Sequence, residues 1–431
     1  MAAAAPRPGL HPAFKVAAVT FAVLVAAASF RSTTGVLLQP IEDEFGWTRS
    51  QTSAAVSLNL VLYGLTAPFA AALLQRFKLR QVVASALLLV AAGSAGALFI
   101  QQSWHLLIAW GLAIGLGTGS LAIVFGAIIA NRWFVSRRGL VTGVFSAASA
   151  AGQLVFLPVY AALAESAGWR WAGGITATLA LLLVVPVWLV LADRPSEVGA
   201  QPFGATPDWK DPAAPALTFT GAARSTVTTL ARASSSGRFW LLMWSFFVCG
   251  WSTNGLIQTH FVSAAHDHGM PATTAAGLLA FVGIFDLVGT IASGWLTDRT
   301  NPRLLLAIYY GLRGLALLSV PYVIGSEVQP PLLFFIVFYG LDWVATVPPT
   351  VQLCREGFGV EQSGVVYGWV FASHMVGAGA SAAFAGWIRQ SQGDYSLAWQ
   401  VAALFCASAV LTSAFAPKGR ARAFASPHSE S

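Results

Sequence analysis

Charge is scarce in this chain. Asp, Glu, Lys and Arg make up 10% of its 431 residues, against about 25% in an ordinary soluble domain. Such a shortage excludes the soluble globular class. Cysteine is rarer still: Cys249, Cys354 and Cys406 lie in or near separate apolar stretches, and no disulfide framework or zinc spacing is visible. No phosphate-cradling glycine loop, metal-ligand spacing or nucleophile elbow appears, which argues against an enzyme and against ATP-driven work by this chain alone. No cofactor and no metal are expected.

What is present is apolar surface, 56% of the residues by type. In windows of about 20 residues, the length needed to cross a bilayer as helix, the sequence divides into twelve spans. They fall at about 14–38, 51–75, 81–101, 104–130, 139–163, 170–192, 239–263, 272–296, 303–324, 329–351, 363–387 and 395–416. The first is longer than a signal-peptide core and is followed by eleven more, so it reads as span 1. The fold class is an all-α membrane protein of twelve transmembrane helices, and the lipid bilayer is its solvent.

The net charge of +7 has its own pattern. With the N-terminus placed inside, the inside segments hold 19 of the 24 Lys and Arg residues and the outside loops hold only Arg49, Arg170 and Arg389. This positive-inside bias puts both termini in the cytoplasm, with a bacterial cytoplasmic (inner) membrane as the expected location. The basic excess needs no nucleic acid to explain it. No obligate protein partner is evident either.

The spans divide six and six about a polar stretch rich in Pro, Ser, Thr and Ala. The expected units are a six-helix bundle at 1–193, a cytoplasmic linker at 194–238, a second six-helix bundle at 239–417 and a cytoplasmic tail at 418–431. A weak repeat supports two related halves. Gln75-Arg76-Phe77-Lys78-Leu79-Arg80 follows span 2, and Gly294-Trp295-Leu296-Thr297-Asp298-Arg299, with Arg303 beyond, follows span 8.

On these residues the chain resembles the major facilitator superfamily. Gly294, Asp298, Arg299 and Arg303 match that family's loop motif, which braces one conformation at the cytoplasmic face, while the first copy lacks the glycine and the aspartate. Three segments resemble the monocarboxylate transporter and oxalate–formate antiporter branch. They are the junction from Gly35 to Ser53, the junction from Arg132 to Gly143, and Asp286 in mid-span 8. Monocarboxylate transporters carry an arginine four residues beyond that aspartate; here the residue is Thr290. Arg31 stands where that family has a substrate-linked lysine in span 1. The resemblance implies two six-helix bundles rocking around a midplane site.

Four charges fall inside spans: Arg31, Asp286, Arg313 and Asp342. A charge at membrane depth costs roughly 2.5 kcal/mol or more, so each needs a partner, a wet cavity or a substrate. Arg31, beside Ser32, Thr33 and Thr34, reads as an anion anchor because its guanidinium fork matches a carboxylate. The competing reading is an arginine snorkelling to the interface. Arg313, between Gly311 and Gly314, reads as a structural partner of Asp286 or Asp342. Asp286 is either a proton carrier, since a carboxyl taken out of water can bind and release a proton as access alternates, or a permanent partner of Arg313. Asp342 precedes Pro348-Pro349, which should bend span 10; it can bind substrate, carry a proton or pair with Arg313.

Polar and aromatic residues complete the expected cavity: Asn59 and Tyr63 in span 2, Gln153 in span 5, Asn254 and Gln258 in span 7 and His374 in span 11. His374 is placed either to titrate or to hydrogen-bond between helices. His260, His266, Asp267 and His268 look superficially like a metal tract, but a helix end beside water explains them. The function expected is secondary active transport of a small organic anion, monocarboxylate-like, by proton symport or anion exchange. The alternatives are proton-driven efflux of amphiphiles and a transporter-like membrane sensor.

Overall fold

The computed structural model describes residues 11–121, 123–206, 209 and 219–415. All twelve spans are helical. Span 1 is Pro12–Phe45, span 2 Arg49–Arg76, span 3 Leu79–Ala97, span 5 Arg138–Ser166 and span 6 Arg170–Val190. In the second half span 8 is Ala272–Thr297, span 9 Pro302–Val323, span 11 Val360–Gln392 and span 12 Ser396–Ala414. The remaining three are broken. Span 4 runs Ser103–Leu106, a π-helical turn Leu107–Ile114, then Gly115–Ser120 and Ile123–Trp133. Span 7 runs Gly237–Gly250, a π-helical turn Trp251–Gln258 and Thr259–Asp267, and span 10 is Pro330–Asp342 followed by Val347–Phe358.

Among the described residues, eight helices are long and apolar enough by length and composition to cross a membrane. Spans 4, 5, 7 and 11 fall outside that count. Spans 4 and 7 are cut by π-turns, span 11 is diluted by Gly, Ala, Ser and Thr, and part of span 5 lies outside the described residues. Lipid-facing helices need bulky apolar surface, whereas helices pressed between neighbours favour small residues that let backbones approach. The outer surface agrees: Leu182, Leu189, Ile291, Leu315 and Leu404 are among the most exposed apolar side chains.

Packing follows from this division of labour. Spans 3 and 6 pair in the first half, and spans 9 and 12 pair in the second. The halves meet where span 1 lies on span 7, span 2 along span 11, and span 5 along span 8. Glycines set the closest approaches. A Cβ on Gly250 would overlap the His374 carbonyl oxygen, and one on Gly255 or Gly377 would overlap the backbone of the facing helix. Gly294, by contrast, has open space on its Cβ side. Gly250→Ala should therefore destabilise the fold by about 1–3 kcal/mol, the range for overpacking a tight site. Gly294→Ala, measured in the same thermal unfolding assay, should leave the midpoint unchanged or slightly raised.

The stretch joining the halves departs from a plain polar linker. Phe203 folds back on the first half, its N–H donating to Trp133 O at 2.8 Å and its ring packing on Phe14. Phe219–Ser234 then forms a helix with Thr226, Thr229 and Ala233 buried, an i, i+3, i+7 spacing that turns one face inward. Trp369 Nε1 donates to Thr226 O at 3.1 Å, and Thr229 Oγ1 donates to Gln362 Oε1 at 3.1 Å. The helix thus docks on span 11. Composition concealed it because the residues that face the partner include two threonines, Thr226 and Thr229, rather than bulky apolar side chains. The tail at 418–431 lies outside the described residues.

Candidate transport site

The break in span 10 organises the buried charges. Pro348 and Pro349 lack N–H groups, so the helix cannot run through them in register. It stops at Asp342 and restarts at Val347. A broken helix at membrane depth exposes backbone groups that water cannot reach, and each must find a partner in the protein. Side chains of spans 8 and 9 supply them. Arg313 Nη2 donates to Asp342 O at 2.6 Å and to Trp343 O at 3.3 Å. Ser293 Oγ donates to Ala345 O at 2.5 Å. Asp286 Oδ1 accepts the Val344 N–H at 3.0 Å and the Thr290 hydroxyl at 3.0 Å.

This geometry divides the three charges of the second half. Arg313 is fully buried, and its Nε donates to Asp342 Oδ2 at 2.5 Å, so Asp342 is its ion-pair partner. Its Nη1 also reaches Cys249 Sγ at 3.1 Å, and Cys249 lies 3.2 Å from Thr346 Oγ1. Tyr310 and Tyr339 flank the cluster, donating to Ser245 O and Ser252 O of span 7. The second oxygen of Asp342, Oδ1, has no hydrogen-bond partner among the described residues. Among the described residues, Asp286 is left with neutral hydrogen-bond donors alone. Thr290, which stands where the related branch has an arginine, is one of them.

A second polar group lies where span 7 crosses span 11. The π-turn Trp251–Gln258 widens span 7 locally, a distortion common at functional sites. On it, Asn254 Nδ2 donates to Gln258 Oε1 at 2.8 Å, and Asn254 Oδ1 lies 3.2 Å from His374 Nε2. The His374 ring is stacked on Phe371 and tilted against Phe246. Three residues singled out from sequence are thereby brought together: Asn254, Gln258 and His374. They form a hydrogen-bonded set with aromatic walls.

The other expected cavity residues are dispersed. Asn59 is buried, and its Nδ2 donates to Trp110 O at 2.7 Å, satisfying a carbonyl in the π-turn of span 4. Tyr63 packs against Phe371, Met375 and Ala378 on the face where span 2 meets span 11. Arg31 lies within the helix of span 1, but its side chain, like that of Gln153, lies outside the described residues. In the loop after span 8, Asp298 follows the last helical residue and Arg299 folds over the Trp295 ring, with Nη1 donating to Trp295 O. Arg303 reaches Glu356 at 3.5 Å, and Arg238 reaches the same carboxylate at 3.4 Å. The motif therefore ties spans 7, 9 and 10 within one half. His260 is buried against Ala382 O and Tyr395, and Asp267 pairs with Arg389 at 2.6 Å.

Sequence reasoning missed Cys249, Ser293, Arg238 and Glu356. Ser293 and Glu356 carry no local signal that would have singled them out. In sequence Cys249 shows only that it has no disulfide or zinc spacing, and Arg238 reads as one inside charge among nineteen.

A bundle of this kind, with its halves meeting along three helix pairs and a broken helix holding charges at depth, is the scaffold of a membrane carrier. The sequence profile of the Major Facilitator Superfamily matches residues 19–382, and the chain belongs to that superfamily of transporters. An uncharacterised MFS-type transporter of Bacillus subtilis, YcxA, is 25% identical over 371 residues, covering 85% of this chain and 86% of that protein. Mouse monocarboxylate transporter 11 is 28% identical over 426 residues, covering 95% and 88%. A crystal structure of a D-xylose-proton symporter superposes with a TM-score of 0.71 over 94% of this chain and 98% of that one, at 14% identity. That last likeness concerns the fold. The protein is a transporter of small molecules and an integral membrane protein, not an enzyme.

Proposed function

We propose that this protein carries a small, monocarboxylate-like organic anion by alternating access, through proton symport or anion exchange, between bundles at 1–193 and 239–417. Arg31 holds the carboxylate from the first half. The Asn254, Gln258 and His374 set meets the rest of the substrate from the second. Asp286 carries the coupling proton, since Asp342 already neutralises Arg313. The observation that carries this reading is Asp286 itself: a carboxyl at membrane depth, held among the described residues by a hydroxyl and a backbone N–H, on the break of span 10. The names of the relatives that are monocarboxylate transporters support the substrate class. The basic linker end supports a cytoplasmic placement of both termini.

Proteoliposomes containing the purified protein test it. Radiolabelled acetate, lactate or pyruvate should enter faster than into empty liposomes, driven by an inward proton gradient or by preloaded carboxylate. Flux of cationic dyes without carboxylate flux would overturn the assignment, and the absence of any flux with retained ligand binding would point to a sensor. Arg31→Gln should lower uptake at subsaturating substrate about 10- to 100-fold, the effect of losing about 1.5–3 kcal/mol of charge-assisted hydrogen bonding. Insertion and thermal stability should not change. Normal uptake in that variant would remove Arg31 from the site.

A further inference from the structure

At the end of the bundle opposite the linker, the two halves are joined by a buried polar network outside the transport site. Span 1 ends at Gly46, at φ 66°, and span 2 begins at the Thr48–Gln51 capping box, a tight turn that aims Arg49 inward. Arg49 is 7% exposed and pairs with Glu42, which is 9% exposed. Its Nη2 donates to Gln39 Oε1 at 2.5 Å, and Thr52 Oγ1 donates to Glu42 Oε1 at 2.5 Å. All of these belong to the first half. The remaining nitrogen, Nη1, donates to the Tyr395 hydroxyl at 2.9 Å, in the turn between spans 11 and 12. That hydroxyl lies 3.3 Å from His260 Nδ1 on span 7, and His260 Nε2 lies 2.9 Å from Ala382 O of span 11. Beneath the network Gly386 of span 11 packs directly on Ser53 of span 2, and Gly35 of span 1 packs on Gln258 of span 7.

We propose that Arg49 and Tyr395 form a latch that holds this end closed and releases as one unit when the halves part. The charge arrangement suits release. Arg49 keeps Glu42 and Gln39 when the halves separate, and Glu42 keeps Thr52, so no buried charge loses its partner. Within this network only the Arg49–Tyr395 hydroxyl contact breaks between halves, and that hydroxyl, itself neutral, can be replaced by water entering the opened cleft. A stronger bond between halves, such as an ion pair spanning them, would trap the carrier. A purely apolar seam would not fix the register of span 1 against span 7. Glu165, whose Oε1 accepts the Thr273 N–H at 3.0 Å, adds a solvent-exposed contact between span 5 and span 8 at the same end.

The test reads closure directly and uses no substrate, so it stands apart from the assignment of carboxylate transport. Ser53 is fully buried beside the latch, and Ser53→Cys is a near-isosteric reporter whose modification by a maleimide in nanodiscs requires the halves to part. Tyr395→Phe should raise its modification rate about tenfold, the effect of one hydrogen bond from a charged donor, and Arg49→Gln about tenfold or more. Cys354 and Cys406, buried within the second half, should stay unmodified in both. An unchanged Ser53→Cys rate in Tyr395→Phe overturns the latch, whatever Arg49→Gln does. An equal rise at Cys354 and Cys406 overturns it too, because that reports general loosening rather than opening of one end.

Discussion

Arg313→Gln is expected to be the most destabilising single change in the second half, by about 3–5 kcal/mol, the cost of leaving a buried carboxylate without its partner. The size follows from what the guanidinium does. It neutralises Asp342 through Nε and also supplies donors to the carbonyls of Asp342 and Trp343 at the break in span 10. Glutamine can replace one of those donors and none of the charge. Asp342→Asn in the Arg313→Gln background should recover much of the loss, since the stranded charge is then gone while the carbonyls still lack part of their donors. Thermal or denaturant unfolding of the detergent-solubilised protein, with all three variants compared, measures this. A single variant as stable as the parent, or a double variant worse than the single, would contradict the pairing.

Much of this fold is legible in sequence because the bilayer leaves few choices. A chain that must satisfy every backbone group internally writes helices as long apolar runs, and the interruptions in charge mark the ends. Charges inside those runs stand out for the same reason, which is why Arg313, Asp286 and Asp342 are visible in the sequence. Their pairing was not visible. It depends on how spans 8, 9 and 10 cross, and the sequence alone allowed Arg313 to face either aspartate. Pro348-Pro349 announced a break in span 10, but not that Asp286 and Ser293 would serve the broken backbone.

The π-turns at Leu107–Ile114 and Trp251–Gln258 left no local trace. They arise beside close crossings at Gly111, Gly115, Gly250 and Gly255, where packing against a neighbouring helix decides the backbone. In sequence Arg49 is one of three outside charges, since a charge next to a turn looks solvated. Only the meeting of spans 1, 2 and 7 with the turn after span 11 buries it.

Asp286→Asn is expected to separate proton coupling from substrate movement. Asparagine keeps a carbonyl oxygen where Asp286 Oδ1 accepts the Val344 N–H and the Thr290 hydroxyl, so the break in span 10 should survive. Stability and carboxylate exchange should then stay within about twofold of the parent, as for a substitution that preserves its contacts. What asparagine cannot do is bind and release a proton. In proteoliposomes the variant should equilibrate carboxylate but fail to accumulate it when an inward proton gradient is imposed, and acidifying the outside should no longer accelerate entry. The parent should show both effects. Asp342→Asn provides the contrast: it removes the charge opposite Arg313, so its primary loss should be in stability, with any loss of coupling following from that. If Asp286→Asn accumulates substrate as the parent does while Asp342→Asn folds and does not, the proton rides on Asp342. The open Oδ1 of that residue would then be its seat, and Asp286 would be left with the backbone role alone.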